Sequence, residues 1–376
     1  MNKPCVHFIG GGLAGFSSAF YAQKFGFKVH LYEASSSLGG RIKKIDRFDN
    51  GTHLIIDAYK DTFQFLNLIH DTLPCFDLIT EYKFFDVLSH ENWDLPADRL
   101  FSSLCKGHIP GVNFTNLISL KAKQKFWRPL LVSIFNTEPS DIPKRLILRT
   151  LIECLKVGHK GLRGYLFSKT LFDLFIEPLI DEIDVQTNQR LIKIDKDKIL
   201  FKNKNITLKE NEYVILALPA NSYEHIDCFF EKPLLTFNPI VNVHFFYKHN
   251  LDDRFVGLIN SKIDWIRVKK DMISITISNF TLPKDKNAFA IEIWNEVSLA
   301  LKIKVDMPDY KILTEKYATP RQDQSYYMAS RNYKSCNERI YFAGDWVVHG
   351  MPATIETAIR SGKSAAYLIK KNHFNK

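Results

Sequence analysis

Apolar and polar positions follow several different rhythms along this chain. Cys5 to Ile9 reads as a strand, a glycine turn follows, and Leu13 to Phe25 has the spacing of a buried helix. A second strand runs from Lys28 to Glu33, which completes a βαβ unit. Helical spacing returns from Tyr59 to Leu73, where Phe63, Leu66, Ile69 and His70 share a face, and Leu78 to Leu95 is strand-like with polar breaks. From Asn116 to Ile183 the pattern predicts helices, stopped at Pro129, Pro139, Pro143 and Gly158. A β section follows. Leu191 to Ile194, Ile199 to Lys202 and Ile206 to Leu208 predict a meander, with turns at Asp195-Lys196-Asp197 and Asn203-Lys204-Asn205. Glu212 to Leu218, closed by Pro219, predicts a buried strand. Ile240 to Tyr247, Trp265 to Val268 and Met272 to Ile277 alternate and predict a second sheet. An amphipathic helix from Asn287 to Ile303, a strand from Arg339 to Ala343 and a helix from Ala353 to Lys370 complete the pattern. No internal repeat or low-complexity tract interrupts it.

Composition narrows the picture. A chain of 376 residues has room for two domains, and 45% hydrophobic with 24% charged residues describes a well-cored protein rather than a disordered one. The net charge of +10 is concentrated: between Lys121 and Thr170 there are eleven Lys and Arg against Glu138, Asp141 and Glu153. Such a segment suits nucleic acid, an anionic membrane or an acidic substrate. Here Phe126, Trp127, Leu130, Leu131, Ile147 and Leu148 lie among Lys123, Lys125, Arg128, Lys144 and Arg145, which favours a membrane surface. No nucleic-acid module accompanies the charge, so nucleic acid is not an expected partner. Six scattered cysteines without a C-x-x-C pair argue against zinc and against a disulfide framework, and fit a reducing cytoplasm. No metal site is expected. With no uninterrupted apolar run of about 18 residues, the expected location is cytoplasmic and peripheral to a membrane.

The candidate chemistry lies in three motifs. Gly10-Gly11-Gly12-Leu13-Ala14-Gly15 is a G-x-G-x-x-G placed directly between a strand and a helix. Gly10 permits the turn, Gly12 lets the backbone approach a pyrophosphate, and Gly15 lets helix and strand pack closely. The amides at Leu13 and Ala14 begin the helix whose positive end favours phosphate. Glu33, followed by Ala34, ends the next strand, where a carboxylate can accept hydrogen bonds from ribose hydroxyls. The second motif, Gly39-Gly40-Arg41, lets the backbone pass the dinucleotide and offers a guanidinium for phosphate. The third is Gly344-Asp345-Trp346 followed by Pro352-Ala353-Thr354-Ile355-Glu356, a loop leading into a helix.

This order of motifs resembles the opening and closing blocks of the FAD-dependent amine oxidase and carotenoid desaturase superfamily. The likeness implies that FAD is the cofactor, that Asp345 holds the ribitol chain, and that the helix after Pro352, Ala353 and Thr354 points its N-terminus at the flavin. Tyr213 to Ala220 is similar to the superfamily's second shared strand, and Val185 to its adenine-side residue. Within the superfamily the chain most resembles the hydroxysqualene dehydroxylases. Three stretches carry this: Asp49-Asn50-Gly51-Thr52-His53-Leu54 (with Thr52 where Gln is usual), Trp127-Arg128-Pro129-Leu130 with Asn136-Thr137, and the C-terminal block.

The resemblance implies removal of an allylic hydroxyl from a C30 isoprenoid by hydride, with a buried acid, a cation-tolerant wall and exclusion of water. His53 is the first candidate for a catalytic group, at the inner end of an apolar path, with Tyr59 and Glu356 behind it. Electrons would come from NAD(P)H or free reduced flavin. Competing readings are an isoprenoid desaturase, an amine oxidase and a non-catalytic flavin- and lipid-binding protein. The expected fold is α/β: a discontinuous, doubly wound FAD-binding domain from residues 1–75, 184–235 and 335–376. An α+β substrate domain with the basic helical region would come from residues 76–183 and 236–334.

Overall fold

The computed structural model describes residues 3–46, 48–97 and 128–374. A five-stranded parallel sheet draws on three distant parts of the chain. Its order is Asp184–Gln186, Lys28–Tyr32, Cys5–Ile9, Glu212–Leu216, Ile340–Phe342. A parallel sheet buries both faces, which explains the near-continuous apolar runs of its strands. On one face Val6, Phe8, Leu31 and Ile215 pack under the helices Leu13–Lys24 and Ile355–Phe374. On the other, Ile9, Val214 and Leu216 meet Ile194, Ile199 and Phe201 of the meander, together with Tyr223 and Trp346. This is the doubly wound α/β layer that the opening motif demands.

The second sheet has seven strands, in the order Tyr310–Pro320, Phe237–Phe245, Met272–Ser278, Trp265–Lys269, Arg254–Ile259, Glu81–Asp86, Asn92–Pro96. Side chains alternate across it. Val241, Val243, Phe245, Ile266, Val268, Ile273, Ile275 and Ile277 pack on Phe289, Ile293, Trp294 and Val297 of the helix Lys286–Leu301. The opposite face therefore carries Asn242, His244, Ser274, Thr276, Trp265, Arg267 and Lys269.

The helical expectation needs correction. The stretch from Asn116 to Ile183 is not helical throughout. Gly164–Phe167 is a strand pairing with Ile55–Ile56 and Phe76–Ile79, while residues 98–127 lie outside the described residues. The eleven-residue strand Tyr310–Pro320 carries no clean apolar alternation because it is an edge strand, half in solvent. Of the apolar side chains proposed to face a membrane, Leu131 is core, Leu130 and Ile147 are half-buried, and Leu148 is exposed. Phe126, Trp127, Lys123 and Lys125 lie outside the described residues.

Candidate functional site

The first turn and the Gly-Gly-Arg segment form one cradle. Gly10 adopts a positive φ of 115°, and a Cβ on Gly15 would overlap the Gly10 carbonyl oxygen. Gly39 N donates to Gly11 O at 2.8 Å and bridges Gly12, so the second motif lies directly on the first. Glu33, at the lip, accepts from Gly11 N through Oε2 and from Ser35 N through Oε1, each at 2.8 Å. Half-buried Ala34 follows it. Val185 pairs with Leu31 one strand away, and Glu33 N donates to Gln186 O at 2.9 Å, so the edge strand flanks the carboxylate.

Three features of this cradle suit a dinucleotide. Apart from its immediate chain neighbours, no atom of the described residues lies within 4 Å of the position a Cβ on Gly12 would take. The helix Leu13–Lys24 has no side-chain cap and no acid in its first turn, leaving its leading amides and dipole for an anion. The C-terminal block also meets the second motif, because Arg41 grips Asp345 through two hydrogen bonds of 2.7 Å. Arg41 was expected to face phosphate. Its guanidinium holds the nearly buried Asp345 carboxylate in a bidentate grip and donates to Ala318 O at 3.0 Å.

Tyr326 and Gln322, which sequence reasoning did not single out, hold the C-terminal loop. Tyr326 Oη donates to Asp345 O at 3.1 Å and to Met351 O at 2.8 Å, and Ala353 N donates to the buried Gln322 at 3.0 Å. Gly344 N donates to Ser361 Oγ at 2.8 Å. Thr354 Oγ1 accepts from Thr357 N at 3.3 Å, placing it as a cap beside Pro352 at the start of the last helix.

The three candidate catalytic groups lie in different settings. Glu356 is 1% exposed, and its oxygens accept from Asp61 N at 3.1 Å and from Thr62 N and Thr62 Oγ1 at 2.8 Å. Arg360 adds a bond at 2.9 Å. The helix Lys60–Ile69 begins at Tyr59, whose side chain cannot cap it, so Glu356 supplies the cap from across the fold. Its oxygens therefore have a structural use, and burial raises its pKa. His53 Nε2 lies 3.1 Å from Asn50 Oδ1, and the residue lines a cavity whose walls mix polar groups with Phe48, Phe167, Phe246 and Met272. Burial pushes the His53 pKa down, with Asp49 opposing in part, so the ring is neutral near pH 7. Burial pushes the Tyr59 phenol up, with a hydrogen bond to Thr354 opposing, so it keeps its proton.

Tyr59 also neighbours Tyr82, which opens an aromatic cluster absent from the sequence reading. Phe84 stacks on Trp93 with centroids 5.5 Å apart and approaches Trp265 at 5.7 Å, and Tyr82 lies 6.2 Å from Trp265. Ala58, Leu95, Cys154, Leu162 and Ile259 close this box, with Leu130 and Leu151 against it. A two-residue alternation through Tyr82-Lys83-Phe84 and Trp265-Ile266 was the signal that could have found it.

The structure invites comparison with known proteins. The model of a NAD(P)-binding Rossmann-like domain matches residues 9–68, and that of flavin-containing amine oxidoreductases matches residues 168–370, more than half of the chain. The chain belongs to the flavin-containing amine oxidoreductase family. It is an FAD-dependent oxidoreductase. It is similar to a hydroxysqualene dehydroxylase of Zymomonas mobilis, 29% identical over 96% of this chain and 98% of that protein. A hydroxysqualene dehydroxylase of Sinorhizobium fredii is 24% identical over 96% and 97% of the two chains. A 15-cis-phytoene desaturase of Glycine max is 23% identical over 96% of this chain and 78% of that protein. Among solved structures, a redesigned triple mutant of putrescine oxidase shares the fold with a TM-score of 0.70 at 14% identity, over 97% and 98% of the chains.

Proposed function

We propose that this protein reductively removes the allylic hydroxyl of hydroxysqualene to give squalene. The observation that carries the reading is the end-to-end similarity to hydroxysqualene dehydroxylases, at nearly full coverage of both chains. The phytoene desaturases share less of their length, which leaves the oxidative reading second. FAD, when bound and reduced, supplies hydride.

The protein's own residues would then supply the rest. The hydroxyl takes up a proton, passed through the Tyr59 phenol and replaced from solvent, the carbon–oxygen bond breaks, water leaves, and the allylic carbon receives hydride. Tyr59 keeps its proton and can donate a hydrogen bond to the departing hydroxyl, a role that neutral His53 fills less well. The faces of Tyr82, Phe84, Trp93 and Trp265 would stabilise the allylic cation, and their packing would exclude the water that recaptures it. Residues 1–75, 184–235 and 335–376 would hold the cofactor, and 76–183 with 236–334 the substrate. Reduced pyridine nucleotide or free reduced flavin would supply the electrons.

A C30 chain cannot cross water readily, at about 0.8 kcal/mol per buried carbon. The helix Lys144–Leu155 offers a route. Leu148, Ile152 and Leu155 project outward beside Lys144, Arg145, Arg149 and Lys156, while Leu151 and Cys154 on the inner side meet the aromatic box. An outer face of this kind suits an anionic membrane surface. No helix among the described residues is long and apolar enough to cross a membrane. The test compares reduced holoenzyme given hydroxysqualene with oxidised holoenzyme given phytoene or squalene. Squalene formed by the reduced enzyme supports the reading. New double bonds formed by the oxidised enzyme, without squalene from the reduced one, would overturn it.

A further inference from the structure

The inward face of the second sheet holds an assembly that the proposed reaction does not use. Strand register places Lys311, His244, Ser274 and Arg267 on one rung across four strands, because His244 is opposite both Lys311 and Ser274, and Ser274 is opposite Arg267. Lys269 follows Arg267 on the same face. His244, Arg267 and Lys269 line a cavity of about 170 Å³ with His53, Thr52 and Lys169.

The donors here are poorly matched. His244 is 1% exposed, its Nδ1 meets Ser274 Oγ at 2.9 Å, and its Nε2 is buried without a partner. Arg267, with only 10% of its side chain exposed, reaches a single carboxylate among the described residues, that of exposed Asp77, at 3.4 Å. Lys269, half-buried, forms no ion pair among the described residues. Two carboxylates share the space: Asp49, whose Oδ1 accepts from Leu171 N at 2.9 Å, and Asp271 at the exposed rim. Cations buried this way are normally paired, and a buried donor left unmade is costly. Burial lowers the Lys269 pKa, with repulsion from Arg267 adding to it, and burial lowers that of His244 to about 4, so the assembly is strained towards losing protons. An anion would relieve all three groups at once.

We propose that this cavity is a phosphoryl-binding site, built by Arg267, Lys269 and His244 and separate from the pyrophosphate cradle at Gly10 to Gly15. A guanidinium, an ammonium and an imidazole N–H converging from adjacent strands match the tetrahedral acceptor geometry of a phosphate group. The same chemistry would be offered by the phosphates of a reduced pyridine nucleotide or by the diphosphate of a prenyl compound.

The test titrates inorganic pyrophosphate into FAD-loaded protein by calorimetry, where the bound cofactor already fills the other phosphate site. One site is expected, weakened at least tenfold in Lys269→Gln and Arg267→Gln and within a few-fold of wild type in Lys269→Arg. FAD content and melting temperature report folding, and the half-exposed Lys269 keeps the test usable if Arg267→Gln does not fold. NADPH and farnesyl diphosphate are then competed against pyrophosphate beside reduced nicotinamide riboside and farnesol. Competition by a phosphorylated compound but not its counterpart supports the site and identifies its source. Absence of pyrophosphate binding to the holoenzyme, equal binding by folded, FAD-replete Lys269→Gln, or equal competition by the unphosphorylated compounds would overturn it. None of these outcomes depends on whether hydroxysqualene is turned over.

Discussion

Replacing Glu356 separates a structural carboxylate from a catalytic one. In Glu356→Ala, Thr62 N and Thr62 Oγ1 lose their acceptors at a residue with no solvent exposure, and the helix Lys60–Ile69 loses its cap. Each stranded buried donor costs about 1–3 kcal/mol, and the lost cap is the Thr62 N bond itself, so a loss of about 2–6 kcal/mol is expected. That is a large share of the roughly 5–15 kcal/mol that holds most proteins folded. Glu356→Gln keeps one acceptor oxygen, for Thr62 N and Thr62 Oγ1, and turns an NH2 towards Asp61 N and Arg360, which retains Asp61 at 2.9 Å. Its expected cost is about 1–3 kcal/mol. The assay pairs denaturant unfolding with turnover per bound flavin. Glu356→Gln should keep turnover within about threefold of wild type. A folded, FAD-replete Glu356→Gln that loses a hundredfold or more would show that the carboxyl acts in the chemistry, and the structural argument would fall.

Other perturbations read other parts of the molecule. Gly12→Val places a side chain in the open cradle and should yield colourless protein, with Glu33→Ala weakening FAD less; full flavin content in Gly12→Val would refute the cradle. Burial raises Asp264 from 3.8 to about 6, against a hydrogen bond from Ser278 N at 2.5 Å. The folded state then binds the extra proton between those values, so this group lowers stability as pH rises through that window. Asp264→Asn should gain on the order of 1–2 kcal/mol at pH 7 and lose that advantage below pH 4, and a flat difference across denaturant titrations at several pH values would contradict the shift. Leu148→Asp with Ile152→Asp should reduce co-sedimentation with anionic liposomes, which in the parent protein should fall with salt; equal pelleting with neutral and anionic vesicles would remove the electrostatic contribution.

The cofactor half of the molecule was readable because its chemistry is backbone chemistry. Glycines at fixed offsets after an apolar strand specify a turn, and Glu33, Gly39 and Gly40 fall where that turn needs them. The pairing of Arg41 with Asp345 was not readable, since it joins residues 304 positions apart and competes with a reasonable local role for arginine. The capping contacts of Glu356 were not readable for a similar reason, since the amides of Asp61 and Thr62 lie 295 and 294 positions away. The aromatic box and the basic rung depend on register between strands far apart in sequence. Alternation alone gives the faces of Trp265, Arg267 and Lys269, not the neighbours that make them a wall or a site.

The most direct measurement is a single anaerobic turnover. Photoreduced holoenzyme is mixed with one equivalent of hydroxysqualene, the yellow absorbance of oxidised flavin is followed, and the lipids are extracted. Recovery of the yellow colour at the rate squalene forms, one product per flavin, is the predicted result. Flavin that stays reduced with hydroxysqualene unchanged, while the same protein converts phytoene or releases peroxide with amines, would contradict the dehydroxylase reading.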